Sequence, residues 1–229
     1  MLIGLGYVQF EGGQMNLASH PTPIEGGPPW IKSDEFTISA KAEGTPRIEV
    51  MSGPMLQTIL EDRFKLKIHR ASRDIPVYAL TVAKGGPKLQ PPKDCIPIDL
   101  AAPRPAAPPG QLPRLCGMGH IGAPKGSNLV EEFYGVTLAQ FSRSLSLDRP
   151  VIDKTGISGR FDIHLEFALD DTTREVLPPN NPANLYPEDP TGGTSIFSAV
   201  QEQLGLKLEA TKGPGEYLVI DSVERPSEN

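Results

Sequence analysis

A chain of 229 residues holds one large domain or two small ones. Its formal net charge of −6 argues against the basic face that nucleic acid requires, and it has no run of about 18 apolar residues to span a membrane. Its 25 prolines and 23 glycines predict long irregular connections between folded units.

In chain order, residues 1–10 read as a helix fragment. Met1-Leu-Ile-Gly-Leu-Gly-Tyr-Val carries no basic stretch and no small-residue cleavage site, so it does not read as a signal peptide. It looks like the later part of a helix, as in a truncated or alternative start. Residues 11–23 form a polar loop. Ile24 to Ile31 is a turn anchored by Trp30, the only tryptophan, which reads as a core plug. Phe36 to Ala40 alternates like a strand.

Met55 opens a helix with an apolar stripe of Leu56, Ile59 and Leu60. Phe64 to Ile68 and Val77 to Val82 follow as two strands. Residues 91–114 are rich in proline and alanine and lack the apolar surface to order themselves; Gly117 to Asn128 continues as loop. Cys95 and Cys116 flank this segment at a spacing that fits neither a zinc ribbon nor a redox pair. In an exported protein they would form a disulfide, worth roughly 3 kcal/mol for a loop of about twenty residues, and in the cytosol two free thiols. The disulfide is the expectation.

Glu131 and Glu132 read as a solvated pair. Thr137 with Gln140 three residues on is a capping box, and Leu138, Phe141 and Leu145 share the face of the helix it starts. Val151 to Gly159 is a short strand and turn. In Phe161 to Phe167 the residues Phe161, Ile163, Leu165 and Phe167 face inward, and Asp162, His164 and Glu166 outward. Residues 170–194 form a long loop. Ile196, Phe197, Val200 and Leu204 stripe a helix that breaks at Gly205. Leu206 and Leu208 begin a strand, Lys212-Gly-Pro-Gly215 reads as a turn, and Tyr217 to Ile220 as a last strand.

The end of the chain repeats its earlier part. At an offset of 140, Leu66 matches Leu206, Lys67 matches Lys207 and Ile68 matches Leu208. The reading is an α+β fold with an internal duplication, each half running helix-strand-strand-helix-strand-strand, its mostly antiparallel sheet carrying helices on one face. The expected divisions are a first repeat at 1–90, a linker at 91–128 with Cys95 and Cys116, and a second repeat at 129–229. The expected core contains Phe36, Leu60, Phe64, Leu66, Phe161, Ile163, Phe197, Val200, Leu206 and Val219.

Gly26-Gly-Pro-Pro-Trp30, Leu60-Glu-Asp-Arg-Phe-Lys-Leu-Lys-Ile-His-Arg70, Pro150-Val-Ile-Asp-Lys-Thr-Gly156, Gly159-Arg-Phe-Asp162 and Val223-Glu-Arg-Pro-Ser-Glu-Asn229 form a set. Over nearly the whole chain it resembles a soil-associated family of uncharacterised proteins found in many copies in acidobacterial genomes. That resemblance implies an exported or periplasmic protein and no agreed activity or catalytic residues. A looser likeness of element order links the second half to the short N-terminal domain of secretins and TonB-dependent receptors, which are envelope interaction modules.

The best candidate site is Asp162, His164 and Glu166. Alternate strand residues project to one face about 6.5–7 Å apart. Such a face could hold a divalent metal ion and activate a bound water, or act as an acid/base pair. The simpler reading is the solvent face of a half-buried strand. His69 and His120 are the next candidates. No nucleophile elbow, zincin motif or phosphate loop is present, and no organic cofactor is implied. Two readings follow: a non-catalytic envelope module that binds an unidentified envelope protein or small molecule, or a metal-assisted hydrolase of small esters or lactones with residues 170–194 as a lid.

Overall fold

The computed structural model describes residues 2–13, 15–16, 18–99, 113–122, 125–126, 128–170, 173 and 193–226. The loop 170–194 and the middle of the segment between the cysteines fall almost wholly outside them. Leu2–Gly4 (α1) runs into a wider π-type turn, Leu5–Gln9. Ile24–Gly26 (β1), Trp30–Ser33 (α2) and Ile48–Val50 (α3) follow. Leu56–Phe64 (α4) continues α3 through a π-type turn that holds Pro54. Phe36 to Ala40 is not a strand, and residues 34–42 have no regular structure. β1 takes the place beside the main sheet, so this stretch has no strand to pair with. Phe36 is 39% exposed, its ring edge-on to Trp30 and Phe64.

The main sheet is built on two long strands, Lys67–Val82 (β2) and Leu206–Ser222 (β7). They pair antiparallel from Lys67 with Ser222 to Val82 with Leu206. The expected strand-turn-strand units are therefore single strands of 16 and 17 residues. Lys212-Gly-Pro-Gly215 forms no turn because it pairs with Arg73 to Pro76. A Cβ on Gly215 would lie 2.3 Å from Ile75 Cδ1, so the glycine makes room for the isoleucine. The prolines fit because of the direction of their missing N–H groups. The N–H of Tyr78 points away from β7, to Pro150, and that of Leu218 points away from β2, to Pro23. By alternation Pro76 and Pro214 face the same outer edges, beyond the reach of the short flanking strands.

β1 pairs parallel with Leu218 to Ile220, and Val151–Asp153 (β5) pairs parallel with Tyr78 to Leu80. The sheet, in order β1-β7-β2-β5, is mixed. A second, antiparallel sheet has the order β3-β4-β6, from Met118–Ile121 (β3), Asn128–Val136 (β4) and Phe161–Ala168 (β6). β3 arises inside the stretch read as linker, and β4 contains the glutamate pair read as solvated. Leu138–Ser144 (α5) starts with the expected capping box at Thr137 and Gln140. Ile196–Leu204 (α6) is capped by Ser195 and ends at Gly205.

Two apolar cores lie toward opposite ends of the β2–β7 ribbon. One gathers Leu80, Leu206 and Leu208 with Leu129, Phe133, Ile163, Leu165 and Phe167 of the second sheet, Leu138 and Phe141 of α5, and Ile196, Val200 and Leu204 of α6. The other gathers Ile3, Leu56, Leu60, Phe64, Leu66 and Ile220. The stretches 1–90 and 129–229 thus both contribute to the main sheet and to each of the two cores. Of the expected core, Leu60, Phe64, Leu66, Ile163, Val200 and Leu206 are buried, whereas Phe161 and Phe197 are half-buried at its edge. Val219 stands opposite His69, while its neighbours Leu218 and Ile220 are buried, so the inward face of the last strand is offset by one residue from the expected one.

Candidate functional site

The outward face of β6 carries Asp162, His164 and Glu166 as expected, but each has its own partners. Asp162 Oδ1 accepts from the Gly135 N–H at 2.8 Å. Its Oδ2 accepts from the Lys93 N–H and from Arg114 Nη2, both at 3.0 Å. Asp162 therefore ties Lys93, just before Cys95, and Arg114, just before Cys116, to β6 and to Gly135 of β4. Glu166 accepts from Asn128 Nδ2 and Lys125 Nζ, both at 2.9 Å. The Asn128 amide first, then the Lys125 ammonium, hold its carboxyl below the usual range.

His164 Nδ1 lies 2.7 Å from Glu132 Oε1. Cross-strand pairing sets Glu132 between His164 on β6 and His120 on β3. The His120 ring lies 5.3 Å from that of Tyr134, over which Arg114 Cζ sits at 4.1 Å. Burial pushes the Tyr134 hydroxyl up from its ordinary pKa. Glu132 could not be chosen as the partner of His164 from sequence, because only strand register makes them neighbours. Among the described residues no group of three or more His, Cys, Asp or Glu side chains is placed to hold a metal ion. His69, at the other end of the ribbon, lies with Nδ1 2.8 Å from Asp221 Oδ1, and both side chains are exposed. Cys95 and Cys116 form a disulfide.

A concavity lies elsewhere, beside the second core. It is a cavity of about 1210 Å³ between α1, the stretch 30–36 and the α4–β2 corner. Ile3, Val8, Leu60, Phe64 and Leu66 give it buried apolar walls. Trp30 lines it half-exposed instead of plugging the core. Its charged lining residues, Lys32, Asp34 and Glu35, come from one stretch of chain. Asp34 Oδ2 lies 2.8 Å from Arg225 Nη1, and Arg225 Cζ sits 5.3 Å from the centre of the Trp30 ring. Two sequence signals point here: apolar residues at 2, 3, 5 and 8 with no strand or helix assigned to cover them, and a lone tryptophan after Gly-Gly-Pro-Pro.

Two buried polar groups stand apart from both places. Glu131 alternates onto the core face of β4, level with Leu165, and its Oε2 has no partner among the described residues. Burial raises its pKa to about 7. His20 Nε2 is likewise buried without a partner, and burial lowers the pKa of this ring despite the nearby Asp148 carboxylate.

No helix among the described residues is long and apolar enough to cross a membrane. Searches of curated proteins and of solved structures gave no match. A family model described as "Protein of unknown function (DUF3738)" does match, over residues 14–223. That span takes in β1, the whole β2–β7 ribbon, both sheets and most of the lining of the cavity, so the chain belongs to the DUF3738 family.

Proposed function

We propose that this chain is a non-catalytic binding module whose ligand enters the apolar cavity beside α1. The observation that carries the reading is the cavity itself. At about 1210 Å³ it exceeds the roughly 300–1,000 Å³ of ordinary ligand pockets, and its walls are mainly aliphatic and aromatic. Such a site suits a long apolar ligand. The disulfide and the likeness to exported soil-bacterial proteins support a place in the cell envelope. The matched helix-strand units α4–β2 and α6–β7 support descent from an internal duplication.

Trp30, the only tryptophan, reports on this site alone. Titration with N-phenyl-1-naphthylamine, a neutral apolar probe, should quench Trp30 emission with saturation, and Leu60→Phe should weaken binding by reducing the cavity. Absence of any saturable change would dismiss the cavity as the site.

One observation favours a hydrolase of small esters or lactones: the Glu132 carboxylate orients His164, leaving Nε2 to take a proton from water. A panel of chromogenic esters and lactones, with and without chelator, tests it. Turnover lost in His164→Ala but retained in chelator would point to this pair acting without metal.

A further inference from the structure

We infer that the cavity selects an amphiphile with an apolar tail and a single anionic head, read by Arg225 and Lys32; this rests on the cavity being a binding site. The tail follows from the walls. The head follows from which polar groups at the mouth still have bonds to make.

Asp34 is already matched, since it forms an ion pair with Arg225 and accepts from Ser33 Oγ at 2.9 Å. Arg225 is not. A guanidinium carries five N–H donors, and only its Nη1 is engaged by Asp34 among the described residues. Its side chain is 61% exposed, and its plane is steadied over the Trp30 ring that lines the cavity. Lys32 lines the cavity, and its ammonium makes no hydrogen bond or ion pair among the described residues. Glu35 is the one acid there in the same condition. Arg225 is not itself a lining residue and reaches the cavity's edge through Asp34 and Trp30, which are; the unused capacity there is donors, from Arg225 and Lys32, against the one exposed carboxylate of Glu35. An arginine fork with free donors suits a carboxylate or phosphate, which it binds in two parallel hydrogen bonds. Trp30 would lie at the junction, its ring against the tail and its outer face under the guanidinium. An incoming head would share Arg225 with Asp34 or displace it.

The test compares dodecanoic acid, methyl dodecanoate and dodecylamine at pH 8 by Trp30 emission, each below its micelle concentration. The acid should bind about ten-fold tighter than the ester, the value of one charge-assisted hydrogen bond, and the amine no tighter than the ester. Arg225→Gln should abolish the preference for the acid, so that acid and ester bind equally within the variant. Because Arg225 is exposed, that variant should fold, and an unchanged melting temperature would confirm it. Equal binding of acid and ester, or tighter binding of the amine, overturns the head-group assignment while leaving the cavity reading intact. If none of these probes nor the neutral naphthylamine moves Trp30 emission, both fall. Co-sedimentation with anionic phospholipid vesicles separates the two sources of such a ligand. Pelleting with vesicles means a membrane lipid, and tight acid binding without pelleting means a free acid.

Discussion

Lys65 and Gly205 occupy the same position on two different helices. Each ends a nine-residue helix in the left-handed conformation, with φ of 50° and 63°, and each leads into one of the two long strands, Gly205 directly and Lys65 after Leu66. The Lys65 N–H closes on Leu60, and the Gly205 N–H on Val200 and Gln201. A residue with a Cβ pays for this conformation by about 1–2 kcal/mol, which is why glycine is usual there.

Lys65→Gly should therefore raise stability by about 0.5–1 kcal/mol, the relieved strain less the added freedom of the unfolded chain. Gly205→Ala should lower it by at least about 2 kcal/mol, because a Cβ would lie 2.0 Å from the Gly86 carbonyl oxygen. Urea unfolding of both variants checks the pair. Equal effects of the same sign would show that the two caps are not equivalent in the way described.

Asp162 is a structural clamp on the disulfide loop. Its side chain is only 14% exposed and accepts from Gly135, Lys93 and Arg114. Asp162→Ala leaves those donors unmatched and should cost about 3 kcal/mol. His164→Ala, at an exposed position, should stay within about 0.5 kcal/mol of the parent. Thermal unfolding at neutral pH distinguishes the two.

Glu131 should make stability fall as pH rises. Its folded pKa, raised from 4.5 to about 7 by burial, means the native state holds a proton that the unfolded chain has already lost. Below about pH 4.5 both states are protonated and nothing is lost. Through the window up to about pH 7 the native state is progressively disfavoured, by about 3 kcal/mol once complete. Glu131→Gln should recover most of this at pH 8 and little at pH 4. A pH-independent effect of the substitution would show that the carboxyl is not titrating in this window.

Register in the last strand can be read from two neighbours. Leu218→Ala should cost about 2–5 kcal/mol, since its side chain is 2% exposed in a packed face. Val219→Ala, on the half-buried opposite face, should cost less than about 1.5 kcal/mol. The reverse order would place the strand one residue out of register.

What the sequence by itself determined is local. The capping box at Thr137 and Gln140, the Ile196 stripe, the stop at Gly205 and the inward alternation of Ile163, Leu165 and Phe167 follow from chemistry acting within one or two turns of chain. The tertiary structure decided what depends on a partner far along the chain. Lys212-Gly-Pro-Gly215 has every mark of a turn, yet it lies straight because β2 pairs with it and because Ile152 and Ile75 fill the space left by Gly213 and Gly215. Val219 and Leu218 are both strand formers, and only pairing with His69 and Arg70 decides which one faces the core. The candidate sites divide in the same way. Asp162, His164 and Glu166 are legible as one face of β6, but their partners Gly135, Glu132 and Lys125 come from outside that strand. The cavity was hidden because its walls come from residues 2–9, 16–24, 30–36, 60–66 and 223, and no local pattern announces a concavity. Local propensity is a property of neighbouring residues, whereas register and concavity exist only once distant segments are packed together.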